Sequence, residues 1–186
     1  MVSRAGGGSV DDSALFRTAS IRIVKLSDGV EWGVHACTLL AVLPSDAALP
    51  APRLAEYFGV PSAYLAKHLQ ALARAGVLET TKGPRGGYRL ARPPSEITVL
   101  DVVEAIDGEE PAFRCTEIRR RGPSAVPARE YRIPCGIHRV FTRADDAWRA
   151  ELAATTIADL VVGVVQEAPR AALEKGARWL GEVVGS

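Results

Sequence analysis

Between residues 51 and 92 the apolar positions follow first a helical and then a strand period. Leu54, Tyr57 and Phe58, then Leu65, Leu69 and Leu72, recur at steps of three and four. That spacing predicts two helices, at about 51–58 and 62–75, whose inner faces close a small core. Gly59 supplies a left-handed stop after the first, and Gly76 ends the second. The stretches 77–80 and 88–91 flank the tip Lys82-Gly83-Pro84-Arg85-Gly86-Gly87 and are short enough to pair as a hairpin. Helix, turn, helix and hairpin make a winged helix-turn-helix. Its second helix is expected to keep Ser62, Lys67, His68, Gln70 and Arg74 on the solvent side.

The same pattern predicts a helix over 28–43, with Ser27 or Asp28 as N-cap and Pro44 beyond its end. Thr98 and Asp101 have the spacing of a capping box for a helix over 98–107, stopped by Gly108. Residues 109–134 have no helical period and hold Pro111, Pro123 and Pro127. A loop of that length is often functional. A long helix starting near Pro134 should carry Ile137, Phe141, Ala144, Trp148 and Leu152 as an apolar stripe. Little remains in so short a chain to cover that stripe, so a partner subunit is its natural neighbour. Thr156 and Asp159 open a further helix to about 165, and 168–184 forms one more, with Leu173, Trp179, Leu180 and Val183 on its apolar side. The fold class is mainly α with a small β-hairpin wing. The predicted divisions are a disordered tail (1–24), a winged helix-turn-helix domain (25–108), a long loop with the length of a functional one (109–134), a dimerisation helix with its successor (135–165) and a C-terminal helical tail (166–186).

Composition narrows the class. Of 186 residues, 47% are hydrophobic and 24% charged, as in an ordinary globular protein. The longest apolar run, 36–43, is too short to span a bilayer. The net charge of +1 conceals a mosaic: 52–92 holds seven Lys and Arg against two Glu, 93–113 six acids and no Lys or Arg, and 114–143 eight Arg against two Glu. A basic block on a winged head is the footprint of a duplex-DNA binder, although solvated helix faces give a similar count. Three cysteines, an odd number, argue against a disulfide scaffold. The polar opening with Gly6-Gly7-Gly8 has no signal-peptide pattern, which favours the cytoplasm. Val24-Lys25-Leu26-Ser27 resembles a natural start, placing the initiator downstream of Met1. No phosphate-binding Gly-rich loop, His-Glu-x-x-His or pair of Cys-x-x-Cys supports an enzyme.

The runs Leu54-Ala55-Glu56, Tyr64-Leu65-Ala66-Lys67, Ala75-Gly76-Val77, Gly86-Gly87-Tyr88-Arg89-Leu90 and Ile97-Thr98-Val99-Leu100-Asp101-Val102-Val103, in that order, resemble the Rrf-two family of winged-helix regulators. The resemblance spans 25 to about 165. It implies a homodimer whose two heads read a pseudo-palindromic DNA operator. Carried over by position, it places Ser62, Ala63, Tyr64, Lys67 and His68 at the entry of the recognition helix, with Lys82, Arg85 and Gly86 of the wing against the minor groove or its phosphates. Gln70 or His68 reaches base edges only if the helix inserts deeply. Leu65 falls on the inner face, in the core of the head, and Tyr64 suits the core as well as the DNA face.

Many members of that family hold an iron-sulfur cluster on three loop cysteines, and this loop has two, Cys115 and Cys135. Glu31 and His35, one helical turn apart, are further donors, unless they form only a surface ion pair. The run Val30-Glu31-Trp32-Gly33-Val34-His35-Ala36-Cys37, with Cys115-Thr116-Glu117-Ile118-Arg119, is similar to an actinobacterial redox-sensing branch. That branch implies a 2Fe-2S cluster held by Glu31 and His35 of one subunit and Cys115 and Cys135 of the other. His138 is the reserve ligand, and Cys37, among apolar neighbours, reads as a core thiol. The leading function is a redox- or nitrosative-stress-sensing repressor. The alternative keeps the DNA head without a cluster and switches by thiol oxidation or a small ligand.

Overall fold

The structure, a computed structural model, describes residues 26–83 and 86–184. The expected tail, the start at Val24, and Arg85 lie outside those residues. Helix α1 spans Asp28–Ala41, α2 Ala51–Phe58 and α3 Ser62–Arg74. The wing strands are β1, Leu78–Thr81, and β2, Gly87–Leu90. Then come α4 (Val99–Asp107), α5 (Gly136–Ala154), α6 (Ile157–Glu167) and α7 (Arg170–Val184). This is the predicted winged helix-turn-helix, mainly α with a two-stranded antiparallel wing. No helix among the described residues is long and apolar enough to cross a membrane.

Helix α1 packs on α3, α4 and α6. Its inner residues Ala36, Cys37 and Leu40 meet Leu54 and Ala55 of α2 and Leu65, Leu69 and Leu72 of α3 in one core. Each fully buried leucine contributes about 1.5–3 kcal/mol. Gly59 sits at φ 64°, so a left-handed residue without a Cβ makes the turn between α2 and α3. The helix α1 ends two residues before the predicted 43, because Pro44 disfavours helical geometry just ahead of it. Pro134 precedes α5 rather than opening it, and Cys135 is the N-cap.

Two reciprocal capping boxes fix the starts of α4 (Thr98 with Asp101) and α6 (Thr156 with Asp159). These starts are joined by the Val99 amide to the Thr155 carbonyl at 2.9 Å and the Ile157 amide to the Ile97 carbonyl at 2.8 Å. Tyr57, expected in the head core, is instead partly exposed, because α2 turns Leu54 and Ala55 inward. Its ring packs on Trp179 of α7 at 5.0 Å. Helix α5 has no buried residue, and Ile137, Val140 and Phe141 are about half exposed or more.

Candidate nucleic-acid interface and sensor loop

Helix α3 presents Ser62, Ala63, Lys67 and Gln70 to solvent, with Tyr64 half exposed. Its N-cap is Pro61, and no side chain caps it. The Tyr64 and Leu65 amides bond the Pro61 carbonyl at 3.1 and 3.0 Å, so it is the Ser62 and Ala63 amides that stand at the exposed positive end of the helix dipole, an arrangement that suits a phosphate.

His68 does not belong to this face. It is 8% exposed because positions 65, 68, 69 and 72 form one inner stripe. Its ring lies edge-on to Tyr64 at 5.0 Å and to Trp32 of α1 at 6.3 Å, and Trp32 meets Tyr64 at 5.4 Å. Gly29 of α1 backs directly onto the His68 ring. His68 Nε2 is buried without a hydrogen-bond partner. Burial, with Lys67 adding, pushes the His68 pKa below its ordinary value, against a smaller opposing effect of Asp107.

In the wing, Leu78 pairs with Leu90 and Thr81 with Gly87, and Lys82 is exposed at the tip. The two glycines at the tip answer to the hairpin itself. A Cβ on Gly86 would lie 2.4 Å from the Thr81 carbonyl oxygen, and one on Gly87 2.3 Å from the Leu49 carbonyl carbon. The basic block is partly neutralised within the chain: Arg53 pairs with Glu56 at 2.8 Å, Arg89 with Glu79 at 2.6 Å and Arg92 with Asp101 at 3.2 Å. Among the described residues Lys67, Arg74 and Lys82 keep their charge without a carboxylate partner, so the cationic surface follows the outer side of α3 and the wing tip.

Glu31 and His35 lie exposed on the outer face of α1, and the His35 ring is 5.8 Å from Phe58. They form no ion pair with each other. Cys37 is fully buried, and burial pushes its thiol up to about 12, as suits a core thiol. Cys135, 8% exposed, caps α5. The amides of His138 and Ile137 face its sulfur and, with the Arg119 charge, lower its pKa despite partial desolvation. Cys115 accepts a hydrogen bond from the Glu117 amide at 3.4 Å. His138 Nδ1 is buried without a partner, and its ring lies 6.4 Å from Phe113. Among the described residues no three His, Cys, Asp or Glu converge on one metal position within the chain. The sequence reading did not single out the contacts that Glu117, Arg119 and Tyr131 make with one another in this loop, and the Cys-x-Glu-x-Arg spacing was the available signal.

The profile of the Rrf2 family, described as an iron-dependent transcriptional regulator, matches residues 26–163. Protein aau3 of Rhizobium meliloti is 39% identical over 110 residues, 59% of this chain and 68% of that protein. The HTH-type transcriptional regulator IscR of Aliivibrio salmonicida is 32% identical over 92 residues, 50% of this chain and 55% of that protein. The fold is similar to that of CymR, the global cysteine regulator of B. subtilis, with a TM-score of 0.58 at 21% identity over 75% of this chain and 98% of that one.

Proposed function

The chain belongs to the Rrf2 family of transcriptional regulators, and from that premise we propose that it is a cytoplasmic, homodimeric, redox-responsive repressor with an intersubunit 2Fe-2S cluster. Its winged head makes it a DNA-binding regulator rather than an enzyme. Reading of the operator falls to Ser62, Ala63, Tyr64, Lys67 and Gln70 of α3, with Lys82, Arg85 and Gly86 on the wing. The exposed, uncapped start of α3 beside Lys67 supports that assignment. His68 contributes from inside, by packing α3 on α1.

The donor chemistry fits the cluster. Cys135 is held toward the thiolate, the form that binds metal. Glu31 and His35 face solvent on one side of α1. Among the described residues the donors form two half-sets and no complete set, which suits a site shared by two protomers. Glu31 and His35 of one protomer would hold the cluster with Cys115 and Cys135 of its partner. When bound, it supplies a one-electron change at a potential above that of an all-thiolate cluster. The observation that carries this reading is that Cys115 and Cys135 flank one Glu117–Arg119 pair.

The lowered pKa of Cys135 also suits a thiol–disulfide switch with Cys115, and one experiment separates the two. Protein purified without oxygen should be coloured and carry about two iron and two sulfide per chain. Its affinity for operator DNA should differ between oxidised and dithionite-reduced forms. Colourless protein without iron or acid-labile sulfide, still responding to peroxide through Cys115 and Cys135, would establish the thiol switch instead.

A further inference from the structure

Glu117, Arg119 and Tyr131 belong neither to the DNA-facing surface nor to the four proposed ligands, yet they form the tightest polar cluster of the 109–134 loop. Glu117 is held at φ 49° and ψ 48°, the only non-glycine residue with positive φ among the described residues. A side chain with a Cβ enters that region only where its surroundings hold it there. The surroundings here are a fork. Arg119 Nη2 donates to both Glu117 carboxylate oxygens at 3.1 and 2.9 Å, and Arg119 Nε donates to one of them at 3.2 Å.

Arg119 also reaches across the loop. Its guanidinium lies 4.7 Å from the centre of the Tyr131 ring, the Tyr131 hydroxyl donates to the Arg119 carbonyl at 2.5 Å, and Arg119 Nη2 donates to the Ile133 carbonyl at 3.5 Å. Segment 117–119 is therefore fastened to segment 131–133. One fastened end carries Cys115, whose sulfur accepts the Glu117 amide and lies 3.8 Å from Glu117 Oε1. The other end runs two residues further to Cys135 at the start of α5. We propose that Arg119 is a positioning residue that, with Glu117 and Tyr131, fastens the two ends of the loop so that Cys115 and Cys135 form a single dithiol site. A bidentate guanidinium can bind a carboxylate and stack on a phenol ring together, and an ammonium cannot. The inference rests on the proposed function only in taking the two cysteines as a working pair.

The test uses the full chain, reduced and freed of metal, with dibromobimane, whose two arms each lose bromide to a thiolate and so bridge neighbouring thiols. Cys37 is buried and does not compete. The readout is the ratio of bridged to singly labelled protein. Arg119→Ala should lower it about tenfold, because the thiols lose their shared placement. Arg119→Lys, which keeps the charge without the fork, should fall equally far. Both variants should stay folded with at most a small drop in melting temperature, since Glu117, Arg119 and Tyr131 lie outside the hydrophobic core. If Arg119→Ala fails to fold, Tyr131→Phe gives the same answer from across the loop, with an expected drop of about threefold.

A wild-type ratio in Arg119→Ala, or in Tyr131→Phe, overturns the proposal. A wild-type ratio in Arg119→Lys does so as well, by reducing Arg119 to a bare charge. Because the labelling uses metal-free protein, dependence on Arg119 in a chain that never binds iron would defeat the cluster and leave the fastening intact. Iron binding with labelling independent of Arg119 would do the reverse.

Discussion

Gly29→Ala adds one methyl group where α1 leans on α3. The new Cβ would lie 2.2 Å from Cε1, 2.5 Å from Nδ1 and 2.6 Å from Nε2 of His68. Ordinary carbon contacts lie at about 3.5–4.0 Å, so the ring or the helix must move by more than about 1 Å. The ring has little room, because Trp32 and Tyr64 lie against it. Overpacking of this kind costs about 1–3 kcal/mol, and the helix propensity of alanine returns at most about 1 kcal/mol near a helix start. A net loss of about 1–2 kcal/mol is expected. At a urea slope of about 2 kcal/mol/M it lowers the unfolding midpoint by about 0.5–1 M. His68→Ala leaves a void that the methyl added by Gly29→Ala partly fills, so the double variant should be about 1–2 kcal/mol more stable than the sum of the single losses predicts. Urea titrations followed by tryptophan fluorescence, at one fixed protomer concentration, measure all four proteins. A wild-type midpoint in Gly29→Ala, or strict additivity in the double variant, would refute the contact as the reason for glycine at this position.

Lys67→Ala and Lys82→Ala should each reduce the slope of log K against log salt on a non-specific duplex by about 0.9, read by fluorescence anisotropy, and an unchanged slope removes that lysine from the interface. Gly87→Ala places a methyl against the Leu49 backbone, which no rotamer change can move. It should break the Leu49–Tyr88 bonds of 3.0 and 2.8 Å at a cost of about 2 kcal/mol, and amide exchange at Leu49 and Tyr88 that stays slow would contradict this. For pH, the folded-state pKa of His68 lies below 6.5, so the unfolded chain binds a proton first as pH falls. The stability His68 contributes is present above pH 6.5 and lost as pH falls toward its folded pKa. His68→Gln should flatten that loss in urea midpoints between about pH 7.5 and 5.5, and parallel curves would assign it to another group.

The elements legible in the sequence were those specified by neighbouring residues. Both capping boxes, the Gly59 turn and the period of α2 and α3 depend on residues within four positions of each other. His68 was misplaced because its polar identity was weighed above its phase, although 65, 68, 69 and 72 repeat as an inner stripe. The Trp32 ring that receives it comes from a different helix. Tyr57 was misplaced for the complementary reason: its apolar ring was weighed above its phase, although α2 turns Leu54 and Ala55 inward and leaves Tyr57 at the surface beside Trp179 of α7. The charge count overstated the basic surface because Arg53, Arg89 and Arg92 have partners that a tally cannot pair. Cys115 and Cys135 were visible as residues. The fork joining their segments was not, because Glu117 and Arg119 sit two apart in a loop with no period, and their meeting depends on one left-handed residue.

Two deficits in the single chain have one remedy. Helix α5 buries none of its residues, and among the described residues no complete set of metal donors converges within the chain. In the proposed dimer a second copy would cover the Phe141 stripe, and its loop would complete the donor set that Glu31 and His35 begin. Dimerisation and iron binding are then linked, but not symmetrically. Phe141→Glu would set a charge in the proposed interface, so it should give a monomer and lose iron with it. Cys135→Ala removes a proposed ligand at the end of the loop and leaves the stripe intact, so on this reading it should lose iron and remain a dimer. Sedimentation at a fixed protomer concentration, with iron measured on the same samples, reads both halves. A Phe141→Glu monomer that keeps a full complement of iron would show that the donors close within one chain, and an iron site shared between protomers would no longer stand.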